Sequence, residues 1–153
     1  DVGGFIDVKD VVALPYAGGS HIIVVQMSPR KAGEVRSMLM ALLASPYLHP
    51  KIGIAVDEDV DPHNAQSIMY ALSTRVNPKS DVFIIPDTLC HTSDLTAELL
   101  PDTGAHMGFH PRIGSKMLID ATKGAAPTPE LRAYFEPVKP MGLVNVKLED
   151  FLG

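Results

Sequence analysis

The stretch 51–62, KIGIAVDEDVDP, constrains the fold of this chain more than any other. Ile52, Ile54, Ala55 and Val56 make an almost unbroken apolar run, as in a strand buried on both faces. The run stops at Asp57, Glu58 and Asp59. Asp61-Pro62 then reads as a helix N-cap followed by proline in the first turn. A strand that ends in carboxylates and turns into a helix is where α/β sheets place their sites.

The flanking segments extend this pattern. Residues 8–14 and 21–27 read as strands around the turn PYAGGS, an N-terminal hairpin-like pair. Ser28-Pro29 is expected to cap a helix to about Ala44, with Val35, Met38, Leu39, Leu42 and Leu43 on its buried face. Asp61 to Arg75 reads as a second helix, with Ala65, Ile68, Met69 and Leu72 facing the core and Asn77-Pro78 stopping it. Residues 82–85 form a fourth strand ended by Pro86, and residues 116–119 a fifth with Asp120 at its end. Strand, helix, strand predicts a βαβ unit, so strands three and four should be parallel neighbours. Residues 88–114 have weak pattern apart from a helical turn near 94–99, and a loop of that length is usually functional. Short helices are expected at 129–135 and 146–152 in a proline-rich tail, 126–153.

Composition narrows the class. A chain of 153 residues supports one domain with a real core. A net charge of −5 without a basic run argues against a nucleic-acid partner. The single cysteine, Cys90, excludes an intrachain disulfide and a zinc knuckle, and fits a reducing cytoplasm. No apolar run reaches the length of a membrane span, and no secretory signal opens the chain. A start at Asp1-Val2-Gly3 without an initiator methionine is what a piece of a longer protein would show.

The side-chain constellations do not assemble a catalytic centre. Asp57, Glu58, Asp59 and Asp61 imitate the start of a calcium loop. However, Pro62 stands where that loop needs glycine, and Ile68 where it needs glutamate. Helix-start acids favoured by the dipole are the simpler reading. His106 and His110 have ligand spacing, but Gly108 and Pro111 oppose a helix there. Cys90 and His91 are adjacent and lack an orienting partner. Gly18-Gly19-Ser20 precedes a strand rather than a helix, so a turn is expected, not a phosphate cradle. Lys116 and Lys123 read as surface lysines. Arg75 either caps the end of its helix or makes an interface ion pair. The residues themselves thus nominate no catalytic, cofactor-binding or metal-ligating group.

Four strings carry a family resemblance: VDEDVDP at 56–62, ALSTRVNP at 71–78, SDVFIIP at 80–86 and SKMLIDATK at 115–123. In order and spacing they resemble the C-terminal region of the UbiD-type carboxy-lyases, over about residues 8–125. Tyr70 stands where the family often has tryptophan, and Leu118 where glycine is common. The resemblance implies an α/β, Rossmann-like three-layer sandwich with a largely parallel central sheet. It implies one C-terminal domain over 1–153, whose flavin-binding N-terminal domain is absent from this chain. Enzymes of that family reversibly decarboxylate aromatic or α,β-unsaturated acids with prenylated FMN, a divalent metal and potassium. Those groups and the catalytic residues belong to the other domain. The implied roles here are oligomerisation, as a dimer or hexamer, and closure over the flavin domain. Thr74, Arg75, Leu95 and Phe109 are the residues expected to face the pocket or an interface. The alternatives are a pure assembly module without substrate contact, and an unrelated Rossmann-like small-molecule binder.

Overall fold

The computed structural model describes residues 6–99, 112–123 and 129–135. In chain order the elements are β1 (Val8–Ala13), β2 (Ile22–Met27), α1 (Glu34–Leu43), β3 (Ile52–Asp57), α2 (Ala65–Arg75), α3 (Pro78–Asp81), β4 (Val82–Cys90), β5 (Glu98–Leu99), β6 (Arg112–Ala121) and α4 (Pro129–Ala133). The strands form one sheet in the order β1-β2-β3-β6-β4, with β5 paired to β6 off that path. The helix expected at 146–152 lies outside the described residues.

The sheet is mixed, which corrects the expected Rossmann-like sandwich with its largely parallel sheet. β2 with β3 and β3 with β6 are parallel. β1 with β2, β4 with β6 and β5 with β6 are antiparallel. Helical cover is also sparse: α1 has 10 residues and α2 has 11, while α3 and α4 have only 4 and 5. The βαβ unit exists, but it is β2-α1-β3. Strands β3 and β4 are not neighbours, because β6 lies between them.

The reason is visible at the end of α2. Arg75, its last residue, still reaches Asp57 at the carboxyl end of β3. The chain has therefore not returned to the amino edge of the sheet. A parallel strand needs that return, normally over a dozen or more residues. Asn77 instead accepts the Lys79 N–H at 3.1 Å and starts the single turn α3, which feeds β4 from the carboxyl edge. β4 must then run backwards, and β6 comes up beside it.

The β2–β3 pair explains its own apolar sequence. Val24, Ile54 and Val56 pack with Ile68 and Ala71 of α2 on one face. Val25, Met27 and Ala55 pack with Val35, Leu39 and Leu43 of α1 on the other. Full burial of such a side chain contributes about 1.5–3 kcal/mol. Antiparallel β1 makes the hairpin-like pair with β2, and Gly18 and Gly19 take φ of +77° and +75° in the connecting turn.

Helix starts depart from expectation. Ser28 does not cap α1; its hydroxyl donates to Glu58 at 2.7 Å, which ties the end of β2 to the loop after β3. The helix begins at Glu34 after Gly33, whose φ of +89° suits glycine. Asp61 accepts the His63 N–H, and Asn64 is the true cap of α2, accepting from Gln66 and Ser67. The buried face of α2 is Ile68, Ala71 and Arg75, while Met69 is exposed. β4 runs on past Pro86 to Cys90 through an irregular register between Ile85 and Thr88, with Asp87 at φ 54°.

Gly114 in β6 has no room for a side chain. A Cβ there would stand 2.9 Å from Ala97 Cβ and 3.1 Å from Cys90 Sγ. Gly114→Ala should lower stability by about 1–3 kcal/mol, read as a shift in the urea midpoint. Ser115→Ala, on the exposed neighbour, should stay within about 0.5 kcal/mol of the parent.

Candidate functional site

The carboxyl edge of the parallel strands carries the densest charge network. Arg75 makes a two-pronged pair with Asp59, Nη1 to Oδ1 at 2.9 Å and Nη2 to Oδ2 at 2.8 Å. Its Nη1 also reaches Asp57 Oδ2 at 3.4 Å. Lys123, just past β6, donates its backbone N–H to Asp57 Oδ2 at 2.5 Å and its ammonium to Asp59 Oδ2 at 2.6 Å. The Arg75 side chain is only 2% exposed, and its Nε is buried without a hydrogen-bond partner among the described residues.

The two aspartates are held differently. Burial raises the Asp57 carboxyl above its usual value, and the Lys123 N–H and Arg75 offset this only in part. Burial works the same way on Asp59, but the Arg75 and Lys123 hydrogen bonds outweigh it and hold that carboxyl below the usual range. These acids are therefore neither a cation site nor helix-dipole partners. Glu58 is taken by Ser28 and Asp61 by the His63 N–H. Among the described residues no group of three or more His, Cys, Asp or Glu is arranged to hold a metal.

The lysines are not on the surface. Lys116 is 3% exposed and donates to the Leu43 carbonyl at 2.9 Å, a cation on the last carbonyls of α1. Burial lowers its pKa. The remaining feature of this edge is a hollow of about 390 Å³ between the start of α1 and the β4–β6 pair. Arg36, stacked 3.7 Å above the Phe83 ring, and Asp120 line it. Asp120 is engaged by the Thr122 hydroxyl at 2.6 Å. Ser80 also lines it, its hydroxyl donating to Asp81 at 2.7 Å.

The nominated residues fall at opposite ends of the sheet. Thr74 is exposed at the carboxyl edge, its hydroxyl donating back to the Tyr70 carbonyl at 2.7 Å. Arg75 is the buried centre of the ion-pair network. Leu95 is 81% exposed in the turn after β4, at the amino edge, where neighbouring Asp94 pairs with Lys51 just before β3. The six residues of β3 separate the two edges by roughly 20 Å. Phe109, His106 and His110 lie outside the described residues. Cys90 is buried, its thiol aimed at the Thr88 carbonyl, while His91 stacks on His49, so they form no nucleophile pair.

The network has a sequence signal that residue-by-residue reading passes over. Arg75 is seven residues from Ile68 and four from Ala71, which places it on the buried stripe of α2. A buried guanidinium needs a carboxylate, and the DED run supplies it. Arg75→Met should cost about 3 kcal/mol at neutral pH by leaving half-buried carboxylates short of a cation. The Asp59 contribution is complete above its unfolded value of 3.8 and disappears as pH falls through its lower folded value. Asp57 acts oppositely, since its raised value costs stability only once pH exceeds 3.8. Urea midpoints should therefore show variant and parent converging below about pH 4.

Comparison with known proteins fits this architecture. The family model for the C-terminal domain of 3-octaprenyl-4-hydroxybenzoate carboxy-lyase matches residues 3–121. The phenolic acid decarboxylase of Bacillus subtilis (strain 168) is 37% identical over 117 residues, 74% of this chain and 22% of that protein. The UbiD-class enzyme HmfF from Pelotomaculum thermopropionicum, solved in complex with FMN, superposes with a TM-score of 0.67 at 25% identity, covering 94% of this chain and 29% of that one. The vanillic acid decarboxylase of Sedimentibacter hydroxybenzoicus in its closed form gives 0.62 at 31% identity, covering 95% and 27%. The chain thus spans roughly a quarter of the length of the relatives it matches. The chain belongs to the family of UbiD C-terminal domains.

Proposed function

We propose that this chain is the part of a UbiD-type decarboxylase that closes over a flavin-bearing N-terminal domain and helps assemble the enzyme. The parent reaction is reversible decarboxylation of an aromatic or α,β-unsaturated acid in the cytoplasm. The carrying observation is Leu95, which stands 81% exposed at the amino edge in a chain of this family. A large apolar side chain held outward by an anchored turn suits a pocket wall completed by another domain. The vanillic acid decarboxylase that the chain resembles has been solved in both open and closed forms. Closure of that kind excludes water from the reacting acid.

Prenylated FMN, a divalent metal and potassium would supply the carbon–carbon bond chemistry in such an enzyme. The described residues of this chain do not fit them. The acids at 57–61 are committed to Arg75, Lys123, Ser28 and the His63 N–H. The glycine turn at 18–19 runs into β2 rather than a helix. The proposal therefore places these groups in the N-terminal domain and routes no step through this chain.

Leu95→Ala, made in the intact flavin-bearing protein, should change the kcat/KM ratio between a bulky and a compact aromatic acid by roughly tenfold. Flavin content should stay constant. Phe109→Ala makes the second variant. Unchanged ratios in both would count against the pocket reading. Exposure of Met69 on α2 and Ile84 on β4, 63% and 68%, favours a second reading as an assembly module without substrate contact. Under that reading Ile84→Asp would lower the oligomer mass in sedimentation, and Leu95→Ala would leave kinetics alone.

A further inference from the structure

Three histidines from distant parts of the sequence meet at the amino edge. His21 precedes β2, His49 lies in the connection from α1 to β3, and His91 follows β4. The His49 and His91 rings stack with centroids 3.6 Å apart and planes 23° from parallel. His21 and His91 close on one residue, Ser93, from two sides. His91 Nδ1 lies 2.8 Å from the Ser93 hydroxyl and 3.2 Å from its backbone N–H. His21 Nε2 lies 3.4 Å from the same hydroxyl.

The proton positions follow from the partners. His21 Nδ1 faces the His49 carbonyl at 3.1 Å, so it carries the hydrogen and donates. In the neutral ring its Nε2 is then a lone pair. His91 Nδ1 receives the Ser93 N–H, so it too is a lone pair. The Ser93 N–H thus has His91 Nδ1 as its acceptor, and the single hydroxyl hydrogen serves one imidazole nitrogen at a time. A proton on His91 Nδ1 can turn to the Ser93 hydroxyl oxygen, but it removes the acceptor of the Ser93 N–H and places a cation against the stacked ring of His49.

We propose that His21, His49 and His91 form a proton-sensitive clasp that holds the 91–97 turn closed when neutral and releases it in mild acid. The turn has two other anchors that involve no imidazole. Lys51 pairs with Asp94 at 3.0 Å and also bonds the Thr96 hydroxyl. Arg112 donates to the Thr92 and Ala97 carbonyls at 3.1 and 2.8 Å. These hold Thr92, Asp94, Thr96 and Ala97, and the clasp holds Ser93 between the first two. The other titratable neighbours among the described residues include buried Cys90, next to His91 in the chain, Tyr47, which lines a shallow hollow beside His49, and Glu98 at the end of the turn. Burial, then the positive charge of His49 and His21, lowers the His91 pKa from its usual 6.5. The open turn takes up a proton at the ordinary value and the closed turn resists it. Closure is therefore complete above about pH 6.5 and weakens as pH falls below it. The clasp stands independently of whether Leu95 meets substrate.

Amide exchange across 92–99, corrected for intrinsic rate and compared at pH 7.5 and 5.5, tests this together with imidazole titrations by NMR. Protection should fall severalfold at pH 5.5 in this segment while β2 and β3 hold theirs. His91→Asn is the informative variant, because its carbonyl keeps an acceptor for the Ser93 N–H and cannot titrate. It should stay protected at both pH values. Protection that is independent of pH in the parent protein would overturn the proposal. So would a His91→Asn protein that opens at pH 5.5 as the parent does, or one that is open at both values, since stacking alone would then hold the turn. Asp94→Asn should loosen the turn equally at both values.

Discussion

The two-pronged Arg75–Asp59 pair is the contact from which the layout of this chain follows. It joins the last residue of α2 to the loop after β3, and Lys123 brings the exit of β6 onto the same carboxylate. Three segments are thereby fixed at one edge of the sheet. Because α2 ends there, the next strand starts there and runs antiparallel. The mixed sheet is a consequence of where one guanidinium finds its acid. Hydrophobic replacement of the whole ion-pair cluster can match it in stability, but it would not fix the end of α2 to this one edge.

The two ends of the sheet are built for different purposes. At the carboxyl edge nearly every charge is spent within the chain: Asp57, Asp59, Arg75 and Lys123 on one another, and Glu58 on Ser28. At the amino edge the turn after β4 rests on groups from three elements and projects an apolar side chain outward. The general rule that α/β sheets bind ligands at strand carboxyl ends points to the edge that is internally satisfied. The exposed Leu95, and so the proposed contact with another domain, lies at the other one.

What the sequence disclosed depended on how local the cause was. The apolar runs of β2 and β3 and the stripe of Val35, Leu39 and Leu43 were legible, because each is set by period and burial on one element. Sheet order was not, since nothing within residues 82–90 states which edge the chain enters from. The role of Arg75 required reading one helix stripe and one acidic run together. Lys116 looked like a surface cation because its partner, the Leu43 carbonyl, is a backbone atom that no side-chain motif reports. The caps misled for a related reason: Ser28 and Asp61 have cap chemistry but are engaged elsewhere, and Asn64 does the work.

The irregular stretch of β4 has a bearing on how copies of this domain can meet. β4 is an edge strand of nine residues, long enough to template another strand. Pro86 lacks an N–H, and Asp87 at φ 54° turns its peptide out of the ladder, both in the middle of that edge. A second sheet cannot hydrogen-bond along it without a break. A continuous backbone ladder between copies along β4 is interrupted by these two residues. Any assembly of this domain along β4 must then rest on contacts between side chains rather than on a continuous ladder.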